Sequence, residues 1–260
     1  MRVHGHRGAR AVLPENTIPA FEYAIGIGVD AVELDVGVSK DGVVVVSHDP
    51  YLAPPICAGP RGTAAIRELT LAEIRQWDCG STRNPAFPRQ RPVPGARVPT
   101  LDEVFELAAG NRVRFNVETK IFADHPELSP SPDEFARLVL VEIRKHRLEN
   151  RVSVLSFDFR TLHALRKIAP EMQLTALWEG DATRDFVSIA REAGAAAVSP
   201  HYSQVTPEKV AAAHAAGVEI VAWTANSPAD WEKLIASGID AIVTDDPAAL
   251  IAYLRANGLR

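Results

Sequence analysis

The feature that most constrains this chain is an alternation. From Thr100 onward, short β-branched runs and amphipathic stretches take turns, and most amphipathic stretches open on the same local chemistry. Thr100-Leu-Asp-Glu103 is a capping box. Ser131-Pro132, Thr206-Pro207, Ser227-Pro228 and Asp246-Pro247 each set an oxygen-bearing cap before a proline, whose missing N–H is not needed in a first helical turn. The pattern predicts strands at 113–119, 151–156, 172–178, 195–199, 218–223 and 239–243, each followed by a helix. Upstream, residues 3–6 and 31–36 read as strands. Between them Ile18, Phe21, Ala24 and Ile25 give a helix near 17–28 one apolar face, ended by Gly26 and Gly28. Eight βα units within 260 residues predict an α/β fold of the closed (β/α)8 TIM-barrel type. An open doubly wound sheet would want a glycine-rich phosphate turn after its first strand, and Gly5-His6-Arg7-Gly8 is not that pattern.

The alternation is broken once. Residues 50–99 hold nine of the nineteen prolines and little periodicity beyond the capping box Thr70-Leu-Ala-Glu73. They read as a small insertion after the second strand and its hairpin arm, lying over the site, within a single domain spanning 1–260. The two cysteines, Cys57 and Cys79, make no disulfide framework, so a reduced pair in a cytoplasmic protein is the expectation. No signal-peptide core precedes the first strand, and no run of eighteen apolar residues suits a membrane span. A net charge of −5 without a basic stripe argues against a nucleic-acid partner. Nothing in the chain specifies an oligomeric state.

Polar residues recur at the ends of the predicted strands. Glu33 and Asp35 alternate with Val32, Leu34 and Val36, so both acids share one face. Taken alone, this describes a half-exposed strand as well as a site. A second strand carries the same signature, with Asn116, Glu118 and Lys120 on one face, and the first ends in His6-Arg7. Asp41-Gly42 is a hairpin signal, and pairing across it would set His48 roughly opposite Asp35. In a barrel all of these stand on the C-terminal rim. Three carboxylates without a thiolate or a His-x-x-x-His pair suit a hard divalent cation, Mg²⁺ or Ca²⁺ with Mn²⁺ as a third candidate. Without one they would repel each other. Arg7 and Lys120 add positive charge suited to an anion, most simply a phosphate. His6 and His48 stand on different elements and could exchange protons with a nucleophile and a leaving oxygen. A Gly-x-Ser-x-Gly nucleophile motif is absent.

The ordered set His6-Arg-Gly8, Pro14-Glu-Asn-Thr17, Glu33-Leu-Asp-Val36, Lys40-Asp-Gly42, His48-Asp49, Pro99-Thr-Leu-Asp-Glu103, Asn116-Val-Glu-Thr-Lys120, Trp223-Thr-x-Asn226 and Gly238 to Asp245 resembles the glycerophosphodiester phosphodiesterase family. Each motif is weak singly, but together they cover nearly the whole chain. The resemblance implies a (β/α)8 barrel that hydrolyses glycerophosphodiesters to glycerol 3-phosphate and an alcohol. It implies Glu33, Asp35 and Glu118 as metal ligands, His6 and His48 as the acid–base pair, Arg7 and Lys120 on the phosphate, and Trp223 in the pocket wall. The chain departs from the family pattern after His48-Asp49, where Pro50-Tyr-Leu-Ala-Pro-Pro-Ile-Cys57 replaces a leucine and an Arg-Thr-Thr stretch, so the head group is left open. His4 stands where an apolar residue is expected; it is read as filling a lower barrel layer or bonding a neighbour. His163, His201 and His214 are read as surface or helix residues, and Asp245 as structural. Two alternatives remain: a lysophospholipase D, favoured by an apolar channel under the insertion, and a non-catalytic barrel that binds a phosphorylated ligand.

Overall fold

The computed structural model describes residues 1–260. Eight strands, Arg2–Gly5, Ala31–Val38, Arg114–Thr119, Val152–Ser156, Gln173–Trp178, Ala197–Pro200, Glu219–Ala222 and Ala241–Thr244, pair in parallel around a ring. The first strand closes it, with Arg2 in register with Ala241 on one side and His4 with Ala31 on the other. Helices pack outside, from Ile18–Gly26 to Pro247–Ala256. The caps behave as the sequence predicts. Ser131, Thr206, Ser227 and Asp246 accept hydrogen bonds from first-turn backbone N–H groups, and both capping boxes close reciprocally.

The main core lies between strands and helices. Val3, Val32, Leu34, Phe115 and Val117 point outward into one cluster of 50 buried residues. Truncating a fully buried member such as Phe115 to Ala costs ~3–5 kcal/mol. The barrel interior is different. Barrels usually fill it with bulky branched side chains. Here the inward positions include His4, Glu33, Asn116, Ser153, Thr175 and Ser199, and the side chains of Leu155, Leu177, Val221 and Val243 form a thin apolar belt between two polar spaces.

Three expectations are corrected. The hairpin register is shifted by one: Val36 pairs with Val46, and Ser47 N–H donates to the Asp35 carbonyl at 2.9 Å, so Ser47 and not His48 is opposite Asp35. A two-residue primed turn would need positive φ at both Asp41 and Gly42, and only Gly42 has it, at +81°. The loop instead runs from Ser39 to Val43: the Ser39 N–H donates to the Val43 carbonyl at 2.9 Å and the Val43 N–H to the Ser39 hydroxyl oxygen at 3.0 Å, while the Asp41 carboxylate is engaged by the Ser39 hydroxyl and the Leu71 N–H.

The cysteines form the disulfide Cys57–Cys79 instead of remaining reduced. It sits in a satellite core with Leu52, Ile74 and Trp77, so residues 50–99 are packed rather than structureless. Gly59 is required there, since a Cβ would come within 2.2 Å of the Trp77 ring. The insertion is braced beside the first βα loop, with the Gln90 amide donating to the Arg10 and Leu13 carbonyls at 2.7 and 3.2 Å. It flanks the central pocket and contributes none of its lining. No helix is long and apolar enough to cross a membrane.

Candidate active site

The first βα loop reverses tightly, and its glycines permit this. A Cβ on Gly5 would lie 2.1 Å from the Gly8 carbonyl oxygen; one on Gly8, at φ +84°, would lie 2.8 Å from the Ala20 backbone. Arg7 itself takes φ +49°. The reversal aims the Arg7 N–H at Glu33 Oε2, 3.0 Å away. The Arg7 guanidinium meets Glu15 Oε1 at 2.6 Å and Asp35 Oδ2 at 3.2 Å. Asn16, at φ +55°, donates its amide to Asp35 Oδ2 at 2.9 Å.

In-register pairing of Ala31–Val38 with Arg114–Thr119 sets Asp35 beside Glu118. Glu33, Asp35 and Glu118 are all buried and offer oxygens within 4.8 Å of one another. Burial, then the neighbouring Asp35 and Glu118 charges, push the Glu33 carboxyl well above its ordinary range. Glu118 is raised as well: burial and the charge of Asp35 outweigh Lys120, whose Nζ lies 2.8 Å from Glu118 Oε1. Burial would raise Asp35 too, but Arg7, Lys120, His48 and the Asn16 amide together hold it well below the usual carboxylate range. Asp35 Oδ1 is buried with no hydrogen-bond partner, and Lys120 Nζ stands 3.8 Å away. Three converging hard oxygens, two carboxyls destabilised by mutual repulsion and one orphaned oxygen fit a divalent cation.

His6 and His48 have a common arrangement. His6 Nδ1 lies 2.6 Å from Asp245 Oδ1, and His48 Nδ1 lies 2.7 Å from Asp49 Oδ1. A carboxylate on Nδ1 fixes the tautomer that frees Nε2 for the pocket. Burial lowers the His6 pKa, and Asp245 partly offsets it. Asp245 is itself held by the Asn226 amide at 2.7 Å and by Arg10 Nε at 2.8 Å. Its structural part is thus to orient His6 as well as to tie Asn226.

Above these groups opens a pocket of about 340 Å³. His6, Arg7, Glu33, His48, Glu118 and Lys120 line its polar side, with Asp35 buried beneath. Trp223 lines the other side, its indole N–H on the Ser199 carbonyl at 2.8 Å and its ring edge-on to Phe157 at 5.5 Å. All eight site residues read from the sequence are therefore brought together. Asn16, Arg10, Asp245 as a partner of His6, and Glu179 in the wall were missed. His4 lies apart, on the far side of the apolar belt, bonded through Nδ1 to the Asn116 amide at 2.8 Å. His201 is no plain surface residue: it follows a barrel strand, with its ring edge-on to Trp223 at 5.4 Å.

Residues 6–249 match the Glycerophosphoryl diester phosphodiesterase family. A glycerophosphodiester phosphodiesterase of Caldanaerobacter subterraneus subsp. tengcongensis is 33% identical over 256 residues, covering 98% of each chain. A Silicibacter pomeroyi crystal structure superposes with a TM-score of 0.91 at 34% identity, covering 100% of this chain and 94% of that one. An Oleispira antarctica phosphodiesterase, solved with the product sn-glycerol-3-phosphate, superposes at 0.84 and 25% identity, over 98% and 97% of the two chains. With the match running from His6, in the first βα loop, into the last helix, this chain belongs to the glycerophosphoryl diester phosphodiesterase family.

Proposed function

We propose that the protein is a divalent-metal-dependent hydrolase that cleaves glycerophosphodiesters to glycerol 3-phosphate and an alcohol, with residues 1–260 as one catalytic domain and 50–99 as an insertion within it. The observation that carries this reading is the buried triad Glu33, Asp35 and Glu118, with an orphaned Asp35 oxygen, beside Arg7, Lys120 and two carboxylate-oriented histidines in one pocket. Mg²⁺ or Ca²⁺, with Mn²⁺ as a third candidate, held by the three acids, would offset their repulsion and polarise the phosphoryl oxygens. Arg7 and Lys120 hold the diester phosphate against the rim, and Trp223 packs on the substrate. His6 begins neutral, as its burial favours, and takes the proton of the attacking oxygen on Nε2. His48 delivers a proton to the leaving alcohol oxygen as its bond to phosphorus breaks. The attacking oxygen belongs to water or to the adjacent glycerol hydroxyl; the latter gives a cyclic phosphate opened by water in a second turn.

The residue-level test is His48→Ala. It should lower kcat by ~10²–10⁴ at saturating metal and substrate; near-normal turnover removes His48 from the proton-transfer pair. A panel of glycerophosphocholine, -ethanolamine, -inositol, -glycerol and lysolipids, each with Mg²⁺, Ca²⁺ and Mn²⁺, tests the reaction class. Residues 50–99 line none of the pocket, so the apolar channel beneath the insertion that would favour a lysophospholipid is not part of this cavity.

A further inference from the structure

The pocket contains one acid that the proposed reaction does not use. Glu179 continues the inward parity of Thr175 and Leu177 along Gln173–Trp178, so it follows Leu177 into the wall of the same cavity. The cations nearby in sequence are engaged elsewhere: Arg184 pairs with Glu192 at 2.6 Å and stacks on Trp178, and Lys209 lies over Phe186 and donates to the Ala182 carbonyl. No ion pair or side-chain hydrogen bond in the structure engages the Glu179 carboxylate, and the residue is exposed to the pocket solvent.

The loop that carries Glu179 is braced. The Trp178 indole N–H donates to the Asp181 carbonyl at 3.2 Å, and the Gln204 amide holds the Gly180 carbonyl at 3.0 Å. A Cβ on Gly180 would press within 2.7 Å of the Trp178 ring. The same wall carries two aromatic rings nearly perpendicular to each other, Phe157 and Trp223, at 83°. Phe157 is 43% exposed at the rim, a position core packing does not explain.

An unpaired carboxylate would repel the phosphate, whose cations, Arg7 and Lys120, stand on the other side with the acid triad. It therefore suits the far end of the substrate. Two nearly perpendicular rings and a carboxylate in the lining of one pocket are the surroundings that attract an ammonium group as it leaves water. We propose that Glu179, Phe157 and Trp223 form a head-group subsite that selects glycerophosphodiesters whose leaving alcohol carries an alkylammonium group. This deepens the hydrolase reading above and rests on it.

The test compares kcat/KM of wild type and Glu179→Gln on glycerophosphocholine, glycerophosphoethanolamine and the uncharged-head-group substrate glycerophosphoglycerol. Wild type should favour the two cationic substrates by about tenfold. E179Q should bring that ratio towards one, through KM rather than kcat, and Phe157→Ala should weaken the quaternary choline substrate more than the primary amine. Equal loss on all three substrates in E179Q would overturn the proposal and assign Glu179 to the shared glycerol moiety. An unchanged ratio would overturn it too. Failure of the parent reading looks different: wild type would hydrolyse none of the three with any of the metals.

Discussion

The two ends of the barrel interior hold similar residue types put to different ends. At the N-terminal end, a cavity of about 280 Å³ holds His4, Asn116, Arg2, Arg114, Gln173 and Glu219. Its polar groups close on one another: Arg2 meets Glu219 at 2.7 Å, Arg114 donates to Gln173, and His4 bonds Asn116. At the C-terminal end, three acids crowd within 4.8 Å, and Asp35 Oδ1 has no hydrogen-bond partner. A buried polar group that finds its partner is part of the scaffold, and one left over marks a place for something else. Polarity inside a barrel is thus a poor guide to function until the pairings are counted.

The sharpest way to break this comparison is to alter one histidine at each end. His6→Ala should lower kcat by ~10²–10⁴, whereas His4→Gln should leave kcat/KM within about twofold. Comparable losses at both ends, measured as steady-state kinetics, would dissolve the contrast. The insertion offers the next effect. The Cys57–Cys79 bond closes a loop between residues 22 apart, so replacing both cysteines with Ser should lower unfolding stability by about 3 kcal/mol in denaturant titration. Metal-dependent activity should survive, because none of 50–99 lines the pocket. Asp245→Asn should reduce kcat by ~10–100-fold with little change in KM, as expected of a residue that orients His6 through a 2.6 Å contact. A loss confined to KM would make Asp245 a substrate-holding residue instead.

The smallest effect concerns pH. His4 is buried, and burial followed by the Arg2 charge lowers its pKa from 6.5 to about 3. The unfolded chain therefore binds a proton near pH 6.5 that the folded chain refuses until about pH 3, so stability falls as pH falls. Relative to His4→Gln, wild type should lose about 1 kcal/mol between pH 6.5 and 5.5. Parallel stability curves for the two proteins would show that His4 titrates freely.

Much of this was legible because strand parity and helix caps are local. Ser131-Pro132 and Thr206-Pro207 announce their helices, and the alternation of Glu33 and Asp35 with Val32, Leu34 and Val36 reports which face looks inward. The same parity rule, extended past the strand ends, reaches Asp245 from Ala241 and Val243, and Glu179 from Thr175 and Leu177; Asp245 was read only as structural, so its place beside His6 and the place of Glu179 in the wall were readable and were missed. Other features were not readable. The choice between a two-residue and a three-residue hairpin loop rested on the φ of Asp41, which the Ser39 hydroxyl and Leu71 N–H influence through its carboxylate. Asn16 reaches Asp35 from a loop without periodicity, at a positive φ that its sequence neighbourhood does not impose. Two lone cysteines carry no pairing signal; the satellite core around Trp77 brings them together.

The contrast between closed and leftover polar groups rests on the triad holding an ion. The most direct measurement is calorimetric titration of the chelated protein with Mn²⁺ and Ca²⁺, in wild type, Glu118→Gln and Asp102→Asn. The last variant alters the other acid–histidine cluster, where Lys145 at 2.7 Å and His146 at 2.5 Å already partner Asp102. The account predicts one ion per chain in wild type, affinity weakened at least ~10-fold in E118Q, and no change in D102N. No bound ion, or equal affinity in wild type and E118Q, would contradict it.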